Sequence, residues 1–139
     1  MAATKAVTTE VIRPEIINTS ISAHSLDLTL NVTENLCYFA AHFPDFPVLP
    51  GVVQLSWAVN YAREFLGLNA PVMNIERLKF TCPIQPNTKI ILHIDYDGKK
   101  NSAAFCFHAL PFLSFQAQAG AQEPLIFSQG RLLYARADQ

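Results

Sequence analysis

Charge is scarce in this sequence. Only 15% of its 139 residues are Asp, Glu, Lys or Arg, and ten basic side chains nearly cancel eleven acidic ones. Without a positive excess there is no field to gather a polyanion, which argues against nucleic acid as a partner. Cysteine is sparse too. Cys37, Cys82 and Cys106 lie far apart with no CxxC pair, so no zinc or dithiol site is expected and the thiols read as reduced core residues of a cytoplasmic protein. The four His lack metal-ligand spacing, and no metal or other cofactor is expected. No run of about 18 apolar residues free of charge or proline exists to span a bilayer. Nor does the start, Met1 to Ala6, hold the apolar stretch of a signal peptide.

What is abundant is apolar surface: 50% of the residues are hydrophobic. The length fits one domain over residues 1–139, with one core. So much apolar surface with so little charge predicts a second copy covering part of it, a homodimer or larger homo-oligomer. No repeat or low-complexity tract is visible.

The pattern along the chain alternates at first. Leu26, Leu28, Leu30 and Val32 recur at every second position and predict a half-buried strand over Ser25–Val32. The β-rich stretch 8–18 is interrupted by Pro14, as an edge strand would be. Residues 42–51 hold Pro44, Pro47 and Pro50 and predict a stiff loop, because proline lacks an N–H and restricts the residue before it. Val52–Leu66 has neither Gly nor Pro and is apolar around most of its circumference, with Ser56, Asn60, Arg63 and Glu64 in one arc. It predicts a helix of about four turns that needs cover on most sides. Residues 72–82, 88–97 and 101–110 read as successive strands, with a hairpin turn at Asp97–Lys100. Residues 113–124 read as a polar connection and 125–136 as a last strand. One helix among antiparallel strands is α+β.

The loop bears the chemistry. His42-Phe43-Pro44, Pro47 and Leu49-Pro50-Gly51-Val52 resemble the active-site loop of the 3-hydroxyacyl-acyl-carrier-protein dehydratases. Ile75 to Phe80 and Pro83-Ile84-Gln85-Pro86 resemble the second signature of that family. The short N-terminal part and Gly51 to Leu55 followed by Trp57-Ala58 resemble the smaller dehydratases of aryl-polyene pathways. The resemblance implies a hotdog fold, one long central helix wrapped by a curved antiparallel sheet, in which two subunits pair their sheets edge to edge. It also implies an acyl thioester substrate delivered by an acyl carrier protein.

Removing water from such a thioester needs a base near neutral pH, and His42 fits that task. It also needs a donor for the charge that develops on the carbonyl oxygen, and the resemblance implies that the Gly51 N–H at the start of a helix supplies it. A lone His after a strand is otherwise more often a surface residue, as His24, His93 and His108 are expected to be. Phe43, Pro50, Val52 and Trp57 are candidates to touch the acyl chain. For Phe43, Phe46 and Trp57, filling the core or a subunit contact is the competing role. Arg77 and Lys79 on one strand face, joined by Arg131, form a candidate surface for an acidic carrier, against the plainer reading of a solvated face.

One position departs from the family pattern. The carboxylate expected on the helix, fourteen residues after His42, is Ser56, whose hydroxyl holds water but donates a proton poorly. His42 would then return its own proton with Ser56 positioning a water, or Asp45 or Glu64 would stand in. Otherwise the chain is a weakened acyl-binding subunit. A thioesterase is the rival enzyme, and it too generally needs a carboxylate.

Overall fold

The computed structural model describes residues 10–41, 46–111 and 125–136. Its elements are β1 (Glu15–Ile21), β2 (Ser25–Val32), α1 (Cys37–Ala41), α2 (Gly51–Leu66), β3 (Val72–Phe80), β4 (Thr88–Asp97), β5 (Ser102–Ala109) and β6 (Ile126–Tyr134). The strands form one six-stranded sheet in the order β1-β2-β4-β5-β6-β3. Every neighbouring pair in it is antiparallel.

The period of two seen in the sequence decides the two faces of this sheet. Leu26, Leu28, Leu30 and Val32 are fully buried, and the β4 partners of the three leucines, Ile94, Leu92 and Ile90, are as well. Phe105 and Phe107 continue the rows on β5. Burying such a side chain contributes roughly 1.5–3 kcal/mol, and these rows are the main source of apolar stabilisation. Against them packs α2 through Val53, Trp57, Ala58, Tyr61 and Ala62.

The helix expected to be long has 16 residues and is about 24 Å long at ~1.5 Å per residue, an ordinary length. Gly67 ends it. At φ 69 this residue takes the left-handed conformation that only glycine adopts without strain, and its N–H returns to the Arg63 carbonyl at 3.1 Å. Cover of the helix is less complete than its composition implies: Ser56, Arg63 and Glu64 are exposed and Val52 is 72% exposed.

Two further expectations are corrected. The first strand begins after Pro14, at Glu15, where 8–18 was expected. All seven of its residues are exposed, so no alternation marked its limits. The short α1 was not anticipated, because five residues are too few to show a helical period. The connection expected over 113–124 lies outside the described residues.

Tyr61 and Tyr134 are buried, and neither hydroxyl has a hydrogen-bond partner among the described residues. Burial pushes both phenols from 10.0 up to about 12. Between those values the unfolded chain loses protons that the folded chain keeps, so raising the pH across that window favours unfolding. We expect the Tm to fall between pH 10 and 12, and to fall less in the Tyr61→Phe, Tyr134→Phe double variant. An unpaired buried hydroxyl costs about 1–3 kcal/mol. At neutral pH thermal unfolding should therefore place the double variant level with the parent or above it.

Candidate active site

The start of α2 is held by its own first turn. Pro50, at φ −61, occupies the N-cap position and offers no side-chain cap. Its carbonyl accepts the N–H groups of Val53 at 3.1 Å and Gln54 at 3.2 Å. The N–H groups of Gly51 and Val52 have no acceptor among the described residues. Free N–H groups at a helix start carry partial positive charge, and a polarised carbonyl oxygen is a matching acceptor.

A cleft of about 470 Å³ opens here, lined by Val48, Leu49, Gly51, Gln54, Phe80 and the Thr81–Pro83 turn. Phe80 comes from β3 and roofs the helix start. A β-carbon on Gly51 would stand 2.7 Å from its ring, so glycine is what allows this approach. The loop also meets the β3–β4 connection, where the Leu49 N–H donates to the Ile84 carbonyl at 2.8 Å. Gln54 is only 3% exposed; its amide donates to the Leu49 carbonyl at 3.2 Å and accepts from the Ser128 hydroxyl at 2.6 Å.

The expected site residues are divided by this geometry. Gly51 lines the cleft, Pro50 precedes it, and Val52 is exposed beside it. Ser56 is exposed one turn further along. Its Oγ accepts from Asn60 at 3.2 Å, and Asn60 in turn accepts from Arg63 at 3.4 Å, which leaves the serine proton free to donate outward. Trp57 is not part of the cleft lining. It is 3% exposed, and its indole N–H donates to the Ile12 carbonyl at 3.2 Å, so it anchors the N-terminal segment to the core.

Glu64 is engaged elsewhere, in an ion pair with Arg13. The hydrogen bond from Arg13 holds its carboxyl below the ordinary range, which is the wrong direction for a proton donor at neutral pH. Phe46 is 59% exposed. His42, Phe43 and Asp45 lie outside the described residues. Of the other imidazoles, His93 bonds Asp27 at 2.8 Å and His108 lies 3.0 Å from the Ala109 carbonyl.

Sequence reasoning missed Gln54, Ser128 and Phe80. A signal existed for the first: an amide on the apolar side of a helix has to be paired when buried. Its partners come from a loop and from a strand more than seventy residues away, which no spacing rule connects.

On the opposite face of the sheet the period of two aligns Asp27, His93, Cys106, Gln129 and Lys79 across five strands. A groove of about 640 Å³ on this face is lined by Arg77, Lys79, Arg131, His93 and Cys106 among others. Arg77 sits at φ 57 within a register shift between Glu76 and Lys79, which brings it to the same groove as Lys79. None of its three cationic side chains, Arg77, Lys79 and Arg131, is in an ion pair among the described residues. Cys37, Cys82 and Cys106 are free thiols, partly rather than fully buried, and burial pushes Cys106 up. Among the described residues no three His, Cys, Asp or Glu groups gather as metal ligands, and no helix is long and apolar enough to cross a membrane.

An antiparallel sheet with a helix packed on one face fits the hotdog arrangement. Solved structures agree. A chain of the dehydratase heterocomplex ApeI:P from Xenorhabdus doucetiae superposes with a TM-score of 0.74 at 28% identity, covering 89% of this chain and 99% of that one. An uncharacterized protein from Erwinia carotovora subsp. atroseptica gives 0.69 at 26% identity over 88% of this chain and 93% of that one. In sequence, the 3-hydroxyacyl-[acyl-carrier-protein] dehydratase FabZ of Chlamydia muridarum is 29% identical over 106 residues, 66% of this chain and 69% of that protein. The model of the ApeI-like family, ApeI dehydratase, matches residues 18–116. The chain belongs to that family, within the hotdog 3-hydroxyacyl-acyl-carrier-protein dehydratases.

The two glycines pressed most closely by aromatic rings, Gly51 and Gly130, should respond differently to substitution. Gly51→Ala pushes only the far edge of Phe80, a ring 49% exposed and free to swing, so the Tm should change little while a crystal structure shows the ring displaced. In Gly130→Ala the new carbon stands 2.9 Å from the Phe105 ring, which is 2% exposed and has nowhere to go. Denaturant unfolding should record a loss of about 1–3 kcal/mol.

Proposed function

We propose that this chain dehydrates a 3-hydroxyacyl thioester, carried on an acyl carrier protein, to the trans-2-enoyl thioester. Its family membership and the unpaired Gly51 N–H at the cleft support the reading together. His42 removes the proton from the carbon beside the carbonyl. The charge moves onto the thioester oxygen, which accepts a hydrogen bond from the Gly51 N–H. The carbon–oxygen bond to the β-hydroxyl then breaks, the double bond forms, and His42 returns its proton so that the hydroxyl leaves as water. Ser56 holds the departing oxygen with the proton that Asn60 leaves free.

The groove with Arg77, Lys79 and Arg131 is the surface we assign to the acidic carrier, since three unpaired cations there attract it even on a chain of net charge −1. Pairing of two copies along the β3 edge is supported by its exposed Met73 and Leu78, at 67% and 38%. A second reading, an acyl-binding subunit that acts with a different partner chain, is favoured by Ser56, which cannot ionise, and by the likeness to a chain of a dehydratase heterocomplex.

Purified protein supplied with a 3-hydroxyacyl thioester should develop enoyl absorbance. His42→Ala should lower the rate by about 100-fold or more, the usual range for a general base. A histidine variant as fast as the parent would remove His42 from the mechanism. Ser56→Glu should raise the rate by restoring a proton donor. Absence of enoyl product from both the parent and Ser56→Glu would favour the binding subunit, and release of free thiol without enoyl absorbance would favour a hydrolase.

A further inference from the structure

We propose that Gln54 is the positioning residue of this site: its buried side-chain amide, strung between the Leu49 carbonyl and the Ser128 hydroxyl, fixes the direction of the Gly51 N–H. The inference rests on the role given to Gly51 above. Gln54, Ser102 and Ser128 are the buried polar residues among those described, and two of them are bonded to each other. Leu49 can only accept through its carbonyl, so the amide nitrogen of Gln54 must face it and the amide oxygen must face Ser128.

The consequence is a stretch of chain held at each peptide. Leu49 is fixed at its N–H by Ile84 and at its carbonyl by Gln54. Proline fixes the next φ at −61. The Pro50 carbonyl points into the helix toward Val53 and Gln54, so across the trans peptide the Gly51 N–H points out of it. Ser128 completes the frame, because it is the cross-strand partner of Phe80, the ring that lies over Gly51. An apolar side chain at position 54 would fill the same volume and leave the Leu49 carbonyl without its donor. The loop would then be free to tilt, and an error of about 1 Å at the donor is enough to cost about 100-fold in rate.

The test compares the parent chain with Gln54→Leu, Gln54→Met and Ser128→Ala. Each is assayed for kcat and KM on a 3-hydroxyacyl thioester. Each is then mixed with an enoyl thioester carrying a ¹³C carbonyl, whose stretching frequency reports the hydrogen bond it receives. In the parent the stretch should lie below its value in water. Gln54→Leu and Gln54→Met both lose the donor to Leu49; they should lower kcat by about 10- to 100-fold, leave KM within about twofold, and return the stretch toward the free value. Ser128→Ala, which keeps that donor but frees its other end, should give a smaller change in the same direction. A general loss of structure would lower the active fraction without moving the frequency of the ligand that still binds. Should the glutamine variants not fold, Ser128→Ala decides alone. Variants with the parent's kcat and carbonyl stretch overturn the role of Gln54. A parent with neither dehydration nor a shifted carbonyl overturns the dehydratase reading itself.

Discussion

The Pro50 carbonyl accepts two N–H groups of the turn that follows it, and the rest of the site takes its direction from that turn. It sets where α2 begins, which N–H groups stay unpaired, and which way they face. A helix start without a side-chain cap carries a cost in an ordinary surface helix. Here the missing cap leaves two donors available beside a mostly apolar cleft, where a carbonyl oxygen would be the natural acceptor. Proline at the N-cap and glycine after it serve the same end by different means, one by stiffness and one by the absence of a side chain.

Around that turn the sheet has two unlike faces. The inner one is closed by rows of Leu, Ile and Phe against α2, and the Gln54–Ser128 bond is a polar crossing in it near the site. The outer one is open and carries the ionisable side chains, His93 with Asp27 and the cationic groove among them. Under the proposed function, such a division would separate an acyl group, which needs apolar surroundings, from an acidic carrier, which is drawn to positive charge.

Much of the architecture was legible because it rests on local periodicity. The bounds of β2 and β4 follow from alternation that one buried face enforces, and those of α2 from a stretch free of Gly and Pro between Gly51 and Gly67. Legibility failed where neither face is buried, as in β1, or where the element is shorter than its own period, as in α1. In the candidate site, Pro50 and Gly51 were visible as a pair. Trp57 was not separable into lining or core by sequence, because an aromatic residue on an apolar helix suits both, and only the bond to Ile12 distinguishes them. Glu64 was likewise open until Arg13, some fifty residues earlier, was found beside it.

What the sequence determined by itself is the set of segments and the chemistry they bring: a proline-rich loop with an imidazole, a glycine at a helix start, and a serine where the family has an acid. These depend on backbone preference and side-chain identity, which are properties of neighbours in the chain. Only the tertiary structure decided that Phe80 roofs Gly51, that Ser128 and Leu49 hold Gln54, and that Arg77, Lys79 and Arg131 share one groove. Each of those is a contact between distant strands or between strand and loop. Its existence depends on sheet order and register, which are fixed by burial of the whole apolar face and not by any local pattern.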